Sequence, residues 1–369
     1  MGKKFGMTLY VALNLLFILK YGSRLGATVV CLLSGAWMAW VVLLCWVLNH
    51  VQRAQRVLMV FCVVALVSLF VAQGLIDPYQ IKVDRWSAID HHLAYLLQGR
   101  YPYAAQTHLG GYGSPFPVWQ WLHLPFHLLG NVGLSSLACM GLYLHSLCRW
   151  RGVRTALSAG VLMVGSPAVC YEVVVRSDLM DNFMMVAAIV QYLIYYKVSL
   201  SRHLFGCAVL CGLMLSTRMS TAIPLFIFFL GQYVVLSWRK QLVFPLGVVL
   251  VFALTFVPYL LWSSDLFLFE YNPFVLQTSM SRPSDALLLV PLVLAAAWWA
   301  RGTEERYFAS VALCLLAGVV VVFVHNMWIE SNFTSLFTSR YDITYIDMSL
   351  PFLFTAIALQ FDKKNDGLS

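Results

Sequence analysis

Charge is scarce in this chain. Asp, Glu, Lys and Arg make up 11% of its 369 residues, against about 25% in a soluble domain. That shortage excludes a water-facing surface over most of the molecule. Cysteine occurs nine times, but no CxxC pair and no Cys/His set at metal spacing is present. Neither a zinc site nor a disulfide framework is therefore expected. Most of the cysteines (Cys31, Cys45, Cys62, Cys207, Cys211, Cys314) stand inside apolar runs, where Cys serves as a small apolar residue. There is no internal repeat, and the one plainly polar tail is 362–369. No small-residue cleavage site follows the first apolar run, so no cleavable signal peptide is expected. The net charge of +8 comes without a basic stripe that would track phosphates, which argues against nucleic-acid binding.

What the chain has in abundance is apolar length: 61% of it is hydrophobic, too much for a soluble core to hide. A membrane-crossing helix needs about 20 mostly apolar residues. Segments that meet or approach this are 7–20, 25–48, 56–76, 132–149, 153–172, 181–197, 203–217, 219–237, 242–262, 285–300, 306–325 and 345–361. The first is short and open to an interfacial position, so eleven or twelve spans are expected. The expected fold is an all-α polytopic bundle forming one transmembrane domain over 1–369. It comprises N-terminal spans (1–76), a large outer loop (77–131), the remaining spans (132–361) and a cytoplasmic tail (362–369).

Sidedness follows from Lys and Arg. With 77–131 outside, the residues Lys3, Lys4, Arg53, Arg56, Arg149, Arg151, Arg154, Lys197, Arg202, Arg239, Lys240, Arg301, Arg306, Lys363 and Lys364 fall inside. That is 15 of the 24 basic residues. Only Glu304, Glu305, Asp362 and Asp366 join them, which leaves 12 of the 16 acidic residues outside. The hairpin carrying Lys20 and Arg24 is the one place that breaks the pattern. Segments 77–131, 173–180, 263–284, 326–344 and the turn at Arg218 then share the outer face.

The titratable residues of that face have two readings each. Asp84 opens an amphipathic stretch, Trp86 to Gln98, with Ile89, Leu93, Leu96 and Leu97 at helical spacing. It either caps that helix or acts as a general base at an aqueous cleft. Asp90, His91 and His92 are its neighbours; adjacent residues on a helix diverge, which disfavours metal ligation by the His pair. Val118 to Leu129 is apolar but too short to cross, and reads as a second surface helix. The cluster Arg176, Ser177, Asp178, Asp181 and Asn182 starts a helix, forms an Arg–Asp pair of little net value, or binds sugar hydroxyls or a divalent ion through Asp178 and Asp181. Arg218 stands alone between two apolar runs and needs an anionic partner, a phosphate being a natural one. Arg340 is similar, except that Asp342 is close enough in sequence to neutralise it. Carboxylates and guanidinium groups on one face suit a hydroxyl nucleophile and an anionic leaving group.

These residues carry a resemblance. The stretch from Asp84 to Tyr103 (DRWSAIDHHLAYLLQGRYPY), followed by Ser114-Pro115-Phe116-Pro117 and Leu124-Pro125, resembles the first outer loop of the GT-C superfamily of membrane glycosyltransferases. It is most similar to bacterial mannosyltransferases and arabinofuranosyltransferases that use polyprenyl-phosphate sugars, in the manner of glycosyltransferase family 87. The likeness covers most of the chain in layout, but its specific residues occupy only that loop and three short patches. It implies Asp84 as catalytic base, with Asp90 the rival. Arg218 and Arg340 are implied as donor-phosphate ligands. Arg176, Asp178, Asp181, Asn182, Trp86, Tyr101, Tyr103 and Tyr341 are implied around the sugar and acceptor. The implied partners are a polyprenyl-phosphate-linked sugar and a glycan, glycolipid or other hydroxyl acceptor, at the outer face of a bacterial inner membrane. No metal or other cofactor is required. A multi-pass transporter, a lipid-linked glycan flippase and a glycan polymerase are the rival functions.

Overall fold

The computed structural model describes residues 2–51, 53–279, 282–331 and 342–366, with side chains through 362. Arg340 and Tyr341 lie outside the described residues. The described residues are mostly helical, and the one β feature among them is an isolated bridge between Gln106 and Tyr112. The helices are α1 (Lys3–Gly22), α2 (Ala27–Asn49), α3 (Gln55–Leu75), α4 (Arg85–Leu97), α5 (Pro117–Leu128), α6 (Ser135–Arg151), α7 (Val153–Val164), α8 (Pro167–Val174) and α9 (Leu179–Tyr195). Then come α10 (Leu204–Leu215), α11 (Ala222–Tyr233), α12 (Trp238–Trp262), α13 (Pro273–Thr278), α14 (Pro283–Trp299), α15 (Glu304–Glu330) and α16 (Leu350–Asp366).

Each of the twelve apolar segments of the sequence falls on a helix or a bent pair of helices. Among the described residues six helices are long and apolar enough to cross a membrane, and three bent pairs raise the number to nine. The chain is thus a polytopic all-α protein. The first segment is not a short interfacial piece: Lys3–Leu25 is a 23-residue candidate span. Its Asn14 is fully buried, and its Oδ1 accepts from Ser166 Oγ (2.6 Å) and from the Ala168 amide (3.0 Å). A side chain of α1 therefore takes up a free amide at the start of α8, which ties α1 into the bundle. The α7–α8 pair bends by 71° at Gly165-Ser166-Pro167. Pro167 cannot continue the ladder of α7, and Ser166 caps α8 by accepting from the Val169 amide. The α5–α6 break is 110°, so α5 lies across the direction of α6, as a surface helix does.

Helices α10 and α11 are 12 residues each, about 18 Å at 1.5 Å per residue. Neither reaches across a ~30 Å hydrocarbon core. Their link, 216–221, is the tip of a hairpin. The hairpin is pressed hard onto α12 at Gly212. A Cβ there would sit 2.7 Å from Val251 Cβ and 2.8 Å from the Val248 carbonyl oxygen. Small residues allow such close helix approach in membranes. Gly212→Ala is accordingly expected to push α10 off α12 and destabilise the protein by about 1–3 kcal/mol, read as a lowered melting temperature in detergent.

Candidate functional site

Asp84 stands immediately before α4 yet makes no capping hydrogen bond from its side chain. Its Oδ2 instead accepts from Thr107 Oγ1 at 2.9 Å, and Thr107 Oγ1 in turn accepts from the Gly111 amide at 3.1 Å. Thr107 comes within reach because the chain reverses twice. Gly99, in the left-handed region at φ 69°, ends α4 in a Schellman turn, with the Arg100 amide on the Tyr95 carbonyl. Gly110, at φ 84°, then closes the 107–110 turn. Asp84 is partly exposed, and its Oδ1 has no hydrogen-bond partner among the described residues. Asp90, the rival base, has its Oδ1 2.7 Å from Nδ1 of His127 on α5.

Arg85, the next residue, turns the other way, into the bundle. Its guanidinium donates to Ser177 Oγ (2.8 Å) and Glu172 Oε2 (3.4 Å), approaches Asp342 Oδ2 (3.7 Å) and lies over the Tyr345 ring. Lys20 of α1 also pairs with Asp342. Burial works against the Asp342 carboxylate, but the Arg85 and Lys20 charges hold its pKa below the usual carboxylate value. Asp347 is fully buried, side by side with Glu172.

A second group meets where α5, the start of α9 and the hairpin tip converge. Asp178 Oδ2 accepts from Arg218 Nη2 and from Trp119 Nε1, both at 2.6 Å. Burial opposes the Asp178 charge, yet Arg218 beside it keeps its pKa below normal. Asp181 Oδ2 accepts from Ser136 Oγ at 2.6 Å, and Asn182 Oδ1 from Thr217 Oγ1 at 3.4 Å. The backbone of 216–217 accepts from the Phe116 and Val118 amides, which locks the tip onto α5.

Of the residues singled out from sequence, Asp178, Asp181, Asn182 and Arg218 come together. Arg218 has its anionic partner inside the chain, Asp178; the expected pairing of Arg340 with Asp342 falls outside the described residues. Asp178 does not cap α9, and it diverges from Asp181 instead of sharing ligands with it. No group of three or more metal-ligating side chains occurs among the described residues. Asp84 and Arg218 bond different partners, Thr107 and Asp178, and form no hydrogen bond or ion pair with each other. Arg176 stands apart, in the left-handed region at φ 58°, donating to the Gln73 carbonyl. Trp86 and Tyr103 are 4% and 1% exposed. Trp86 packs on Tyr79 and His108, and Tyr103 on His92 and Tyr259, with its hydroxyl on the Pro115 carbonyl. These two rings are packing residues, not the lining of an open cleft. Tyr101 is 8% exposed in the same aromatic cluster.

Thr107, Arg85, Trp119, Gln120, His123, Glu172 and Asp347 escaped the sequence reading. Glu172 and Asp347 left a signal there, each an acid inside an apolar segment. His92 is fixed differently from the metal or catalytic roles open to a histidine. Burial drives its pKa down to about 3, so it stays neutral where the unfolded chain's His titrates near 6.5. The unfolded state then binds the extra proton as pH falls below 6.5, and stability drops with it. At pH 5 the loss is about 2 kcal/mol. A His92→Leu variant is expected to show a smaller decrease in melting temperature between pH 8 and pH 5 than the parent.

Compared with protein-family models, curated proteins and solved structures, the chain matches none.

Proposed function

We propose that the protein transfers a sugar, with inversion, from a polyprenyl-phosphate donor to a hydroxyl acceptor at the outer face of a bacterial inner membrane. The observation that carries this reading is the state of Asp84. One carboxylate oxygen is held by Thr107 and the other has no hydrogen-bond partner among the described residues, on a partly exposed residue at the head of α4. A general base needs that combination of fixed orientation and an open lone pair. In the reaction, Asp84 takes the acceptor's hydroxyl proton as its oxygen attacks the anomeric carbon. The bond from that carbon to the phosphate oxygen breaks, and polyprenyl phosphate departs with the bonding electrons. The leaving group needs no proton, so a second carboxylic acid is unnecessary, in contrast with glycoside hydrolysis. Arg340 is the cation proposed for the departing phosphate. Arg218, the other cation expected there, is neutralised by Asp178. The scheme requires no metal.

A second reading rests on a different observation, the buried chain of Asp347, Glu172 and Arg85. Buried ionisable groups of this kind mark proton relays in transporters. The two are separated by supplying the reconstituted protein with polyprenyl phosphate bearing a radiolabelled sugar. Label recovered covalently on an acceptor supports the transferase. Movement of label across the vesicle with every glycosyl-phosphate bond intact refutes it and favours transport.

A further inference from the structure

One end of the bundle is laced together by its cations. Lys3 Nζ, at the start of α1, donates to Asn49 Oδ1 at the close of α2 (2.9 Å) and lies over the Phe361 ring of α16. Arg154, near the start of α7, pairs with Asp362 at 3.6 Å. Arg151 ends α6 and pairs with Glu304, which opens α15, at 2.9 Å. Arg149 donates to the Tyr195 hydroxyl at the close of α9 (3.2 Å). Lys240 of α12 donates to the Ser201 carbonyl a few residues further on (2.9 Å). Segments far apart in sequence therefore share one rim. Exposed Arg53, Arg56, Arg202 and Arg306 add to its charge. The acids of this rim, among the described side chains, are Glu304, Glu305 and Asp362, and Glu304 and Asp362 are already paired. Helix α1 runs from Lys3 in the rim to Lys20 beside Asp342, about 26 Å at 1.5 Å per residue, so the rim is remote from the outer-face groups.

Four arginines of the rim lie over aromatic rings. Arg149 is 5.5 Å from the centroid of Tyr195, Arg151 4.6 Å from Trp150, Arg239 5.5 Å from Trp238 and Arg301 4.6 Å from Trp298. Of these, Arg151 alone has an acidic partner among the described residues. Trp238 and Trp298 are 66% and 70% exposed. Trp238 is the first residue of the candidate span Trp238–Trp262, and Trp298 lies in the last turn of α14. Both rings thus stand where hydrocarbon gives way to headgroups, the depth that tryptophan favours. A guanidinium laid on such a ring is carried to the level of the lipid phosphates, with N–H groups left to donate. We propose that this rim binds anionic phospholipids, the Arg239–Trp238 and Arg301–Trp298 pairs each seating one phosphate headgroup. A zwitterionic headgroup would bring its own ammonium to a rim already in excess of cations, so the ligand carries net negative charge. A soluble polyanion would meet the cations but leave the two tryptophans at the ends of apolar helices without a role. The inference does not depend on the glycosyl-transfer reading.

The test uses the full chain in phosphatidylcholine nanodiscs, titrated with brominated phosphatidylglycerol or brominated phosphatidylcholine. Bromine quenches nearby tryptophan fluorescence, and the quenching curves give the relative association constant of the two lipids. A basic residue at an anionic membrane surface is worth about fivefold, so wild-type protein is expected to prefer phosphatidylglycerol by at least about tenfold. Arg239→Gln combined with Arg301→Gln is expected to lower that preference by at least about fivefold. Its melting temperature is expected to stay at the parental value, because neither arginine forms an ion pair among the described residues. Where the double variant does not insert, Arg239→Gln and Arg301→Gln singly carry the test, each expected to reduce the preference by about twofold or more. Glycerol 3-phosphate, added at the concentration of lipid phosphate, is expected to leave the quenching unchanged. Its full competition would mark a site for a soluble anion and overturn the lipid rim. Equal quenching of wild-type protein by both lipids overturns it too, as does a preference that the substitutions leave intact.

Discussion

On the proposed glycosyl-transfer reading, Asp84→Asn is expected to lower the rate of transfer about 10²–10⁴-fold, the usual contribution of a positioned general base, while the protein extracts, reconstitutes and melts as the parent does. The asymmetry follows from the geometry. Asn keeps an oxygen where Asp84 Oδ2 accepts from Thr107, so the 106–112 loop stays docked, and the residue contributes no side-chain cap to α4 that its replacement would remove. What is lost is basicity at the free position. Affinity for the glycosylated lipid is expected to be unchanged, which separates loss of the base from collapse of the donor site. Asp84→Asn that retains more than about a tenth of parental activity removes the base from Asp84. Asp90, engaged with His127, is expected to tolerate the same change with a far smaller loss.

Arg218→Met is expected to be among the most destabilising single substitutions in the chain, by about 3–5 kcal/mol, because it strands a buried carboxylate. Asp178 is 2% exposed, and its remaining partner at Oδ2 is the indole of Trp119. A neutral donor does not replace a guanidinium. The diagnostic is the double variant: Asp178→Asn with Arg218→Met removes both charges and is expected to recover most of the melting temperature, since a buried pair exchanged whole is close to neutral. A double variant as unstable as the single one shows instead that the pair is held by its packing and not by charge.

Much of the framework was legible from residue pattern alone, because a lipid-facing helix writes its length and apolarity directly into the chain. All twelve apolar segments became helices, and helices α4 and α5 were visible in Trp86–Gln98 and Val118–Leu129. The partnerships were not legible. Arg218 announced that it needed an anion, but residues 178 and 218 share no local signal that they meet. Gln120 and His123 hid inside an aromatic, apolar run, where a polar residue reads as an interruption. Asp84 shows the same limit: position relative to α4 suggested a cap, whereas a threonine 23 residues later took the carboxylate. The aromatic rings Trp86 and Tyr103 misled for the opposite reason, since Trp and Tyr serve membrane interfaces, cores and sugar sites alike.

The pairing of Lys20 with Asp342 has a consequence for biogenesis. The partners are 322 residues apart, so at ~5–20 residues per second of translation the first helix carries an uncompensated ammonium for roughly 16–64 s. A ribosome-bound intermediate must therefore hold that helix provisionally, at the translocon or near the headgroups, until the final span arrives. Lys20 then explains itself as a latch instead of a sidedness marker, and chains stalled before codon 342 are expected to be substrates for membrane quality control.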